Sequence, residues 1–170
     1  MKKRLIVMSG LPGSGKSILA EQLAVALSLP VLSIDPIEAA MWRSGLAKET
    51  TSVAAYEVAC ALADEQLKLG LSVIVDAANL IEIAREMWRS LAAEHELEAV
   101  MIECVCKDAV LHQQRIERRV RNIPGMAEVT WEQVEQRHTE PRHDAYLEVD
   151  TSQPEADHLA TALRYIGGRQ

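Results

Sequence analysis

The nine residues SGLPGSGKS, from Ser9 to Ser17, follow directly on the apolar run Leu5-Ile-Val-Met8. Three glycines and a proline in so short a stretch cannot continue a helix or a strand. The segment is a loop between two regular elements, and its spacing says what kind. Gly10, Gly15, Lys16 and Ser17 match G-x-x-x-x-G-K-[ST] in full. Glycines let the backbone curl so that successive N–H groups face inward and form an anion nest. A helix opening at Lys16 adds its positive end. Lys16 brings a full charge toward β- and γ-phosphates, and the Ser17 hydroxyl is placed to bind Mg²⁺. Gly10, Leu11, Pro12, Gly13, Ser14, Gly15, Lys16, Ser17 and Ile18 are therefore expected around the phosphates of ATP, with Mg²⁺.

The rest of the chain alternates short apolar runs with longer helical patterns. Strands are predicted at 4–9, 30–35, 71–77, 97–106 and 145–150. Helices are predicted at 16–29, 52–70, 80–95, 108–121, 130–138 and 152–168. Thr130 with Gln133, and Ser152 with Glu155, have capping-box spacing. Five strands interleaved with helices read as an α/β fold with a mostly parallel sheet, here a single domain over 1–170. Continuous apolar strands fit a sheet covered on both faces. Ligands of such sheets bind beyond the carboxyl ends of the strands, where the glycine loop stands.

Two other predicted strands end in acids. Asp76 closes the run SVIVD and is the candidate to hold Mg²⁺, directly or through water. Asp35 closes LSID. It is the candidate base that orients an acceptor hydroxyl and takes its proton. The same Asp35-Pro36-x-Glu38 also reads as a helix start, with Asp35 as N-cap. Asn79 either meets substrate near Mg²⁺ or caps the next helix. Arg115, Arg118 and Arg119 share a helical face, with Arg121 close behind. Arginines on a closing segment can stabilise charge on a transferring phosphoryl group. Arg115 and Arg119 are the first choices, in a lid over approximately 115–130. Arg43 is a candidate contact for an anionic substrate. Trp42 and Trp131 are expected to pack, and no histidine pair suggests catalysis.

Composition narrows the partners. A net charge of -7 argues against a nucleic-acid partner, which needs a basic surface. Three cysteines without a disulfide framework suggest a reducing compartment, and Cys104 and Cys106 are expected to share one buried strand face. No run reaches transmembrane length, and the basic N-terminus carries too short an apolar run for a signal peptide. The expected location is the cytoplasm.

In this order, GLPGSGKS, Asp35, DAAN and the arginine helix resemble the P-loop kinases and AAA-type ATPases of the zeta-toxin, chloramphenicol-phosphotransferase and polynucleotide-kinase-like set. The resemblance implies a three-layer P-loop NTPase fold: a five-stranded parallel sheet in order 2-3-1-4-5 with a short lid. It implies ATP with Mg²⁺ and γ-phosphate transfer to a hydroxyl of an unidentified small molecule. It makes Lys16 and Ser17 the phosphate and Mg²⁺ residues, Asp35 the base, and Arg115 or Arg119 the lid arginines. It also brings the Asp150–Ser152 segment, with Thr151, near the adenine. The second strand lacks the Asp-x-Asp of shikimate-kinase-like enzymes, and DAAN lacks the Thr that polynucleotide kinases tend to place before the Asn. The alternatives are an ATPase switch or binding module with a protein partner, and a 5′-hydroxyl polynucleotide kinase.

Overall fold

The computed structural model describes residues 3–153 and 156–168. Its strands are β1 (Leu5–Ser9), β2 (Val31–Ser33), β3 (Val73–Asp76), β4 (Val100–Val105) and β5 (Tyr146–Asp150). Its helices are α1 (Lys16–Leu27), α2 (Ile34–Arg43), α3 (Lys48–Lys68), α4 (Glu82–Glu94), α5 (Ala109–Arg118), α6 (Trp131–Glu135) and α7 (Ala156–Gly168). The sheet runs β2-β3-β1-β4-β5, and every pairing is parallel. This is the expected three-layer P-loop NTPase order.

Period-two alternation divides the strand residues between two apolar layers. Leu5, Val7, Val73, Val75 and Met101 face α3 and α4, where Trp88 and Leu91 fill the layer. Ile6, Met8, Ile74, Val100 and Ile102 face α1 and α7, against Leu23 and Ile166. The chain has no Phe. Close approach substitutes for bulk: Ala55, Ala59, Ala63 and Leu67 recur every fourth residue along the buried face of α3.

Register places the carboxyl ends of three strands side by side. Met8 of β1 pairs with Asp76 of β3, and Asp76 pairs with Ser33 of β2. The phosphate loop, Asp76 and the start of α2 therefore meet at one edge of the sheet.

Several boundaries differ from the expectation. β2 stops at Ser33 and the chain turns straight into α2, so Asp35 lies in the first helical turn and does not end a strand. The N-cap is Ser33, which rules out Asp35 as the cap. α3 begins at Lys48, a turn earlier than expected. α4 is capped by Ile81, so Asn79 is not its cap. α5 ends at Arg118, where its C-cap Arg119 turns extended at φ −68°, ψ 129°. Pro124 would have barred helix at residue 123, and the chain leaves the helix earlier to bring Arg121 across to α2. The Thr130–Gln133 capping box forms as expected. The Ser152–Glu155 pair lies outside the described residues at Glu155. Cys104 is buried, whereas Cys106 lies just past β4 and is partly exposed, so the two do not share an interior face. Among the described residues, no helix is long and apolar enough to cross a membrane.

Candidate active site

The loop between β1 and α1 needs glycine where the chain turns left-handed. Gly13 and Gly15 have φ of 79° and 87°. At Gly10 the constraint is space: a Cβ would stand 2.3 Å from the Cys104 carbonyl oxygen. The Gly10 N–H donates to the Ala78 carbonyl at 3.0 Å, which ties the loop to the end of β3. Lys16, the first residue of α1, is 7% exposed, with its side chain on the wall of a cavity of about 280 Å³. Gly13, Gly15, Ser17, Ile18, Arg115 and Arg119 share that wall.

Three side chains distant in sequence hold the loop. The Thr151 hydroxyl donates to the Ser14 carbonyl at 2.7 Å. Arg115 grips the same residue, donating to Thr151 Oγ1 at 2.7 Å and to its carbonyl at 2.8 Å. His112 Nε2 lies 2.7 Å from the Pro12 carbonyl. A carbonyl only accepts, so Nε2 carries the proton. Its ring meets Trp131 edge-on, at 5.1 Å between centroids. Thr151, expected near the adenine, lines the same cavity and also closes the phosphate loop. His112 was not anticipated, since one histidine in a helix gives no sign of a carbonyl a hundred positions away.

A second cavity, of about 400 Å³, opens on the other side of Ser17. Ser33, Asp35, Asp76 and Arg121 line it together with Ser17. Asp76 is 6% exposed. Its Oδ2 accepts from the Ser33 hydroxyl at 3.2 Å, while Oδ1 is buried without a partner. A buried carboxylate oxygen left unpaired is costly unless a cation or its water completes it. Among the described residues, no three His, Cys, Asp or Glu side chains gather to hold a metal alone. Ser17 with Asp76 suits Mg²⁺, which takes one or two protein ligands and keeps phosphate oxygens and waters.

The arginines divide their work. Arg121 forms an ion pair with Asp35, and its Nε lies 3.2 Å from Glu128. Arg119 faces the nucleotide cavity with Nη1 buried and unpartnered. Burial, and then the neighbouring Arg121, hold its pKa below the usual guanidinium range. A buried guanidinium without a full set of partners is a receptor for an anion. The arginine that pairs with Asp35 is Arg121, while Arg115 and Arg119 stand on the wall of the Lys16 cavity.

One expected substrate contact is corrected. Asn79 is 1% exposed, and both ends of its amide are engaged: Nδ2 donates to the Met8 carbonyl at 2.8 Å and Oδ1 accepts from Trp88 Nε1 at 2.9 Å. It brackets β1 to α4 and offers a substrate nothing. Arg43, the candidate for an anionic substrate, is exposed, donates to the Pro124 carbonyl and packs along the turn at Gly125.

The sequence matches the AAA domain family over residues 5–141, most of its length and all of this site except Thr151. The chain belongs to the AAA domain family. No curated protein matches it. Among solved structures, a presumed kinase from Chloroflexus aurantiacus J-10-fl superposes with a TM-score of 0.81 at 24% identity over 100% of both chains. The APS kinase CysC of Mycobacterium tuberculosis, in complex with AMPPNP and APS, gives 0.73 at 14% identity over 98% of this chain and 99% of its own. A gluconokinase from Sinorhizobium meliloti 1021 gives 0.67 at 21% identity over 98% of this chain and 93% of its own. At these identities the likeness is one of fold, and the fold of this AAA domain is that of the P-loop kinases.

Proposed function

We propose that the protein is a MgATP-dependent kinase that transfers the γ-phosphate to a hydroxyl of a small molecule. The observation that carries this reading is the shared wall of the two cavities. Ser17 lines both, so a phosphate held by the loop sits between Lys16 on one side and Asp76 with Asp35 on the other. Lys16 and the loop N–H groups hold the β- and γ-phosphates. Ser17 and Asp76 would hold Mg²⁺, which when bound neutralises charge on those oxygens. Arg119, short of partners, takes up charge that develops on the phosphoryl group. Asp35 orients the acceptor hydroxyl and accepts its proton as the new O–P bond forms and the bond to the ADP oxygen breaks. Arg121 must first release Asp35, since its guanidinium occupies the carboxylate oxygen that would meet the acceptor hydroxyl.

The test is ADP release from MgATP with a panel of hydroxyl acceptors, each against a blank without acceptor. One class should stimulate release. Asp35→Asn should keep ATP affinity and lower transfer by about 10²–10⁴-fold, the usual worth of a general base. Lys16→Ala should lose nucleotide binding or turnover. A blank rate that no acceptor changes would overturn the kinase reading in favour of an ATPase that drives a partner.

A further inference from the structure

Outside the phosphate site, the structure has a groove of about 500 Å³ between α3 and α4. Val53 and Tyr56 form one wall, and Ile81, Ile83 and Met87 the other. Val53 is 70% exposed and Ile83 76% exposed, both large apolar side chains standing in water. Scattered single cases are ordinary, but these two face a common cleft.

The cleft lies beside the phosphate loop: the carbonyl of Ala78, on its lining, accepts from the Gly10 N–H at 3.0 Å, and Leu80 also lines a small cavity that Leu11 shares. Ala78 and Leu80, on its floor, follow Asp76 in the same strand-to-helix connection. The Tyr56 hydroxyl accepts from the Asn79 N–H at 3.2 Å and keeps its own proton to donate. Burial pushes the Tyr56 phenol up, the Asn79 bond opposes that, and the charge of Asp35 adds to the rise. Arg137 stands at the rim with His138, and its charge reaches both Tyr56 and Glu38.

We propose that this groove receives the body of the phosphate acceptor, and that the acceptor is an amphiphilic hydroxy acid: an alkyl or aryl body, a hydroxyl presented to Asp35, and a carboxylate matched to Arg137. This rests on the kinase reading and narrows it. A polyol laid against Ile81, Ile83 and Met87 would have hydroxyls that find no partner there, whereas a hydrocarbon body removes exposed apolar surface from water. The acceptor class therefore differs from the polyhydroxylated acid that the name gluconokinase implies for the Sinorhizobium protein.

Calorimetry on the full chain with Mg²⁺ and AMPPNP tests the proposal. The probes are 4-(hydroxymethyl)benzoate and a series of ω-hydroxyalkanoates, against gluconate and glycerol. Affinity should rise by about fourfold per added methylene until the groove is full. Gluconate and glycerol should bind far more weakly. Val53→Glu and Ile83→Glu alter side chains already in water, so the fold and AMPPNP affinity should persist while amphiphile affinity falls at least about tenfold. Arg137→Gln should weaken the carboxylates and spare 4-methylbenzyl alcohol. Tighter binding of the polyols, no binding by any amphiphile, or amphiphile binding indifferent to Ile83→Glu would each overturn the proposal. ADP release stimulated by a polyol alone overturns this acceptor class and leaves the kinase standing. Groove binding with no ADP release from any acceptor overturns the kinase reading, and the acceptor role with it.

Discussion

Thr151 joins more of the site than any other single side chain. Its hydroxyl reaches Ser14 in the phosphate loop and Val105 at the end of β4, and accepts from Arg115 in α5. Thr151→Val keeps the volume and removes the polar atom. The variant should be less stable by about 1–3 kcal/mol, the cost of orphaned buried polar groups, and should bind ATP more weakly. Urea titration with and without nucleotide measures both. At this scale the sequence was most informative where function is written locally. The phosphate loop is eight consecutive positions, and its chemistry follows from their order. Asp76 was readable because an acid at the end of an apolar strand is also a local sign. Arg121 was not, because its partner Asp35 is 86 positions away and the arginine run offers four equivalent candidates. Asn79 misled because it is polar and near the site. What decides its role is the carbonyl of Met8, 71 positions upstream.

Elements were legible in type and order but less so in their ends. The strand-helix alternation gave the sheet, since apolar runs and periodicity are local. The ends depend on what the chain must reach next. α5 stops at Arg118 and the chain beyond it crosses to α2, a demand no helical pattern in the segment contains. α4 shows what fixes an element once placed. Arg85, on its buried face and 1% exposed, donates to the carbonyls of Asn79, Leu80, Glu140 and Pro141 and to Glu82. It clamps the start of α4 to the segment that follows α6. Arg85→Met leaves those carbonyls without their donor and should cost about 3 kcal/mol or less, read by thermal or urea unfolding. β4 makes a different prediction. Burial pushes the Cys104 thiol up to about 12. Iodoacetamide at about pH 8 should therefore label Cys60 and Cys106 first, and Cys104 only in unfolded protein, as peptide mapping would report.

The whole molecule carries a net charge of -7, and that bears on its partners. A surface so acidic repels a phosphodiester backbone. A short 5′-hydroxyl oligonucleotide should neither stimulate ADP release nor show the steep salt-dependent binding of a nucleic-acid partner; either result would revive the polynucleotide reading. The α/β class was legible at this scale from one loop and five apolar runs, and the strand order came with the family resemblance. The acceptor groove was not, because it exists only after α3, α4 and the chain behind α6 have come together. The bond from Thr151 to Ser14 spans 137 positions. The phosphate loop lies near the start of the chain, yet the residue that closes it comes after the last strand. On the ribosome, the phosphate loop emerges long before Thr151, and its last hydrogen bond waits for that residue.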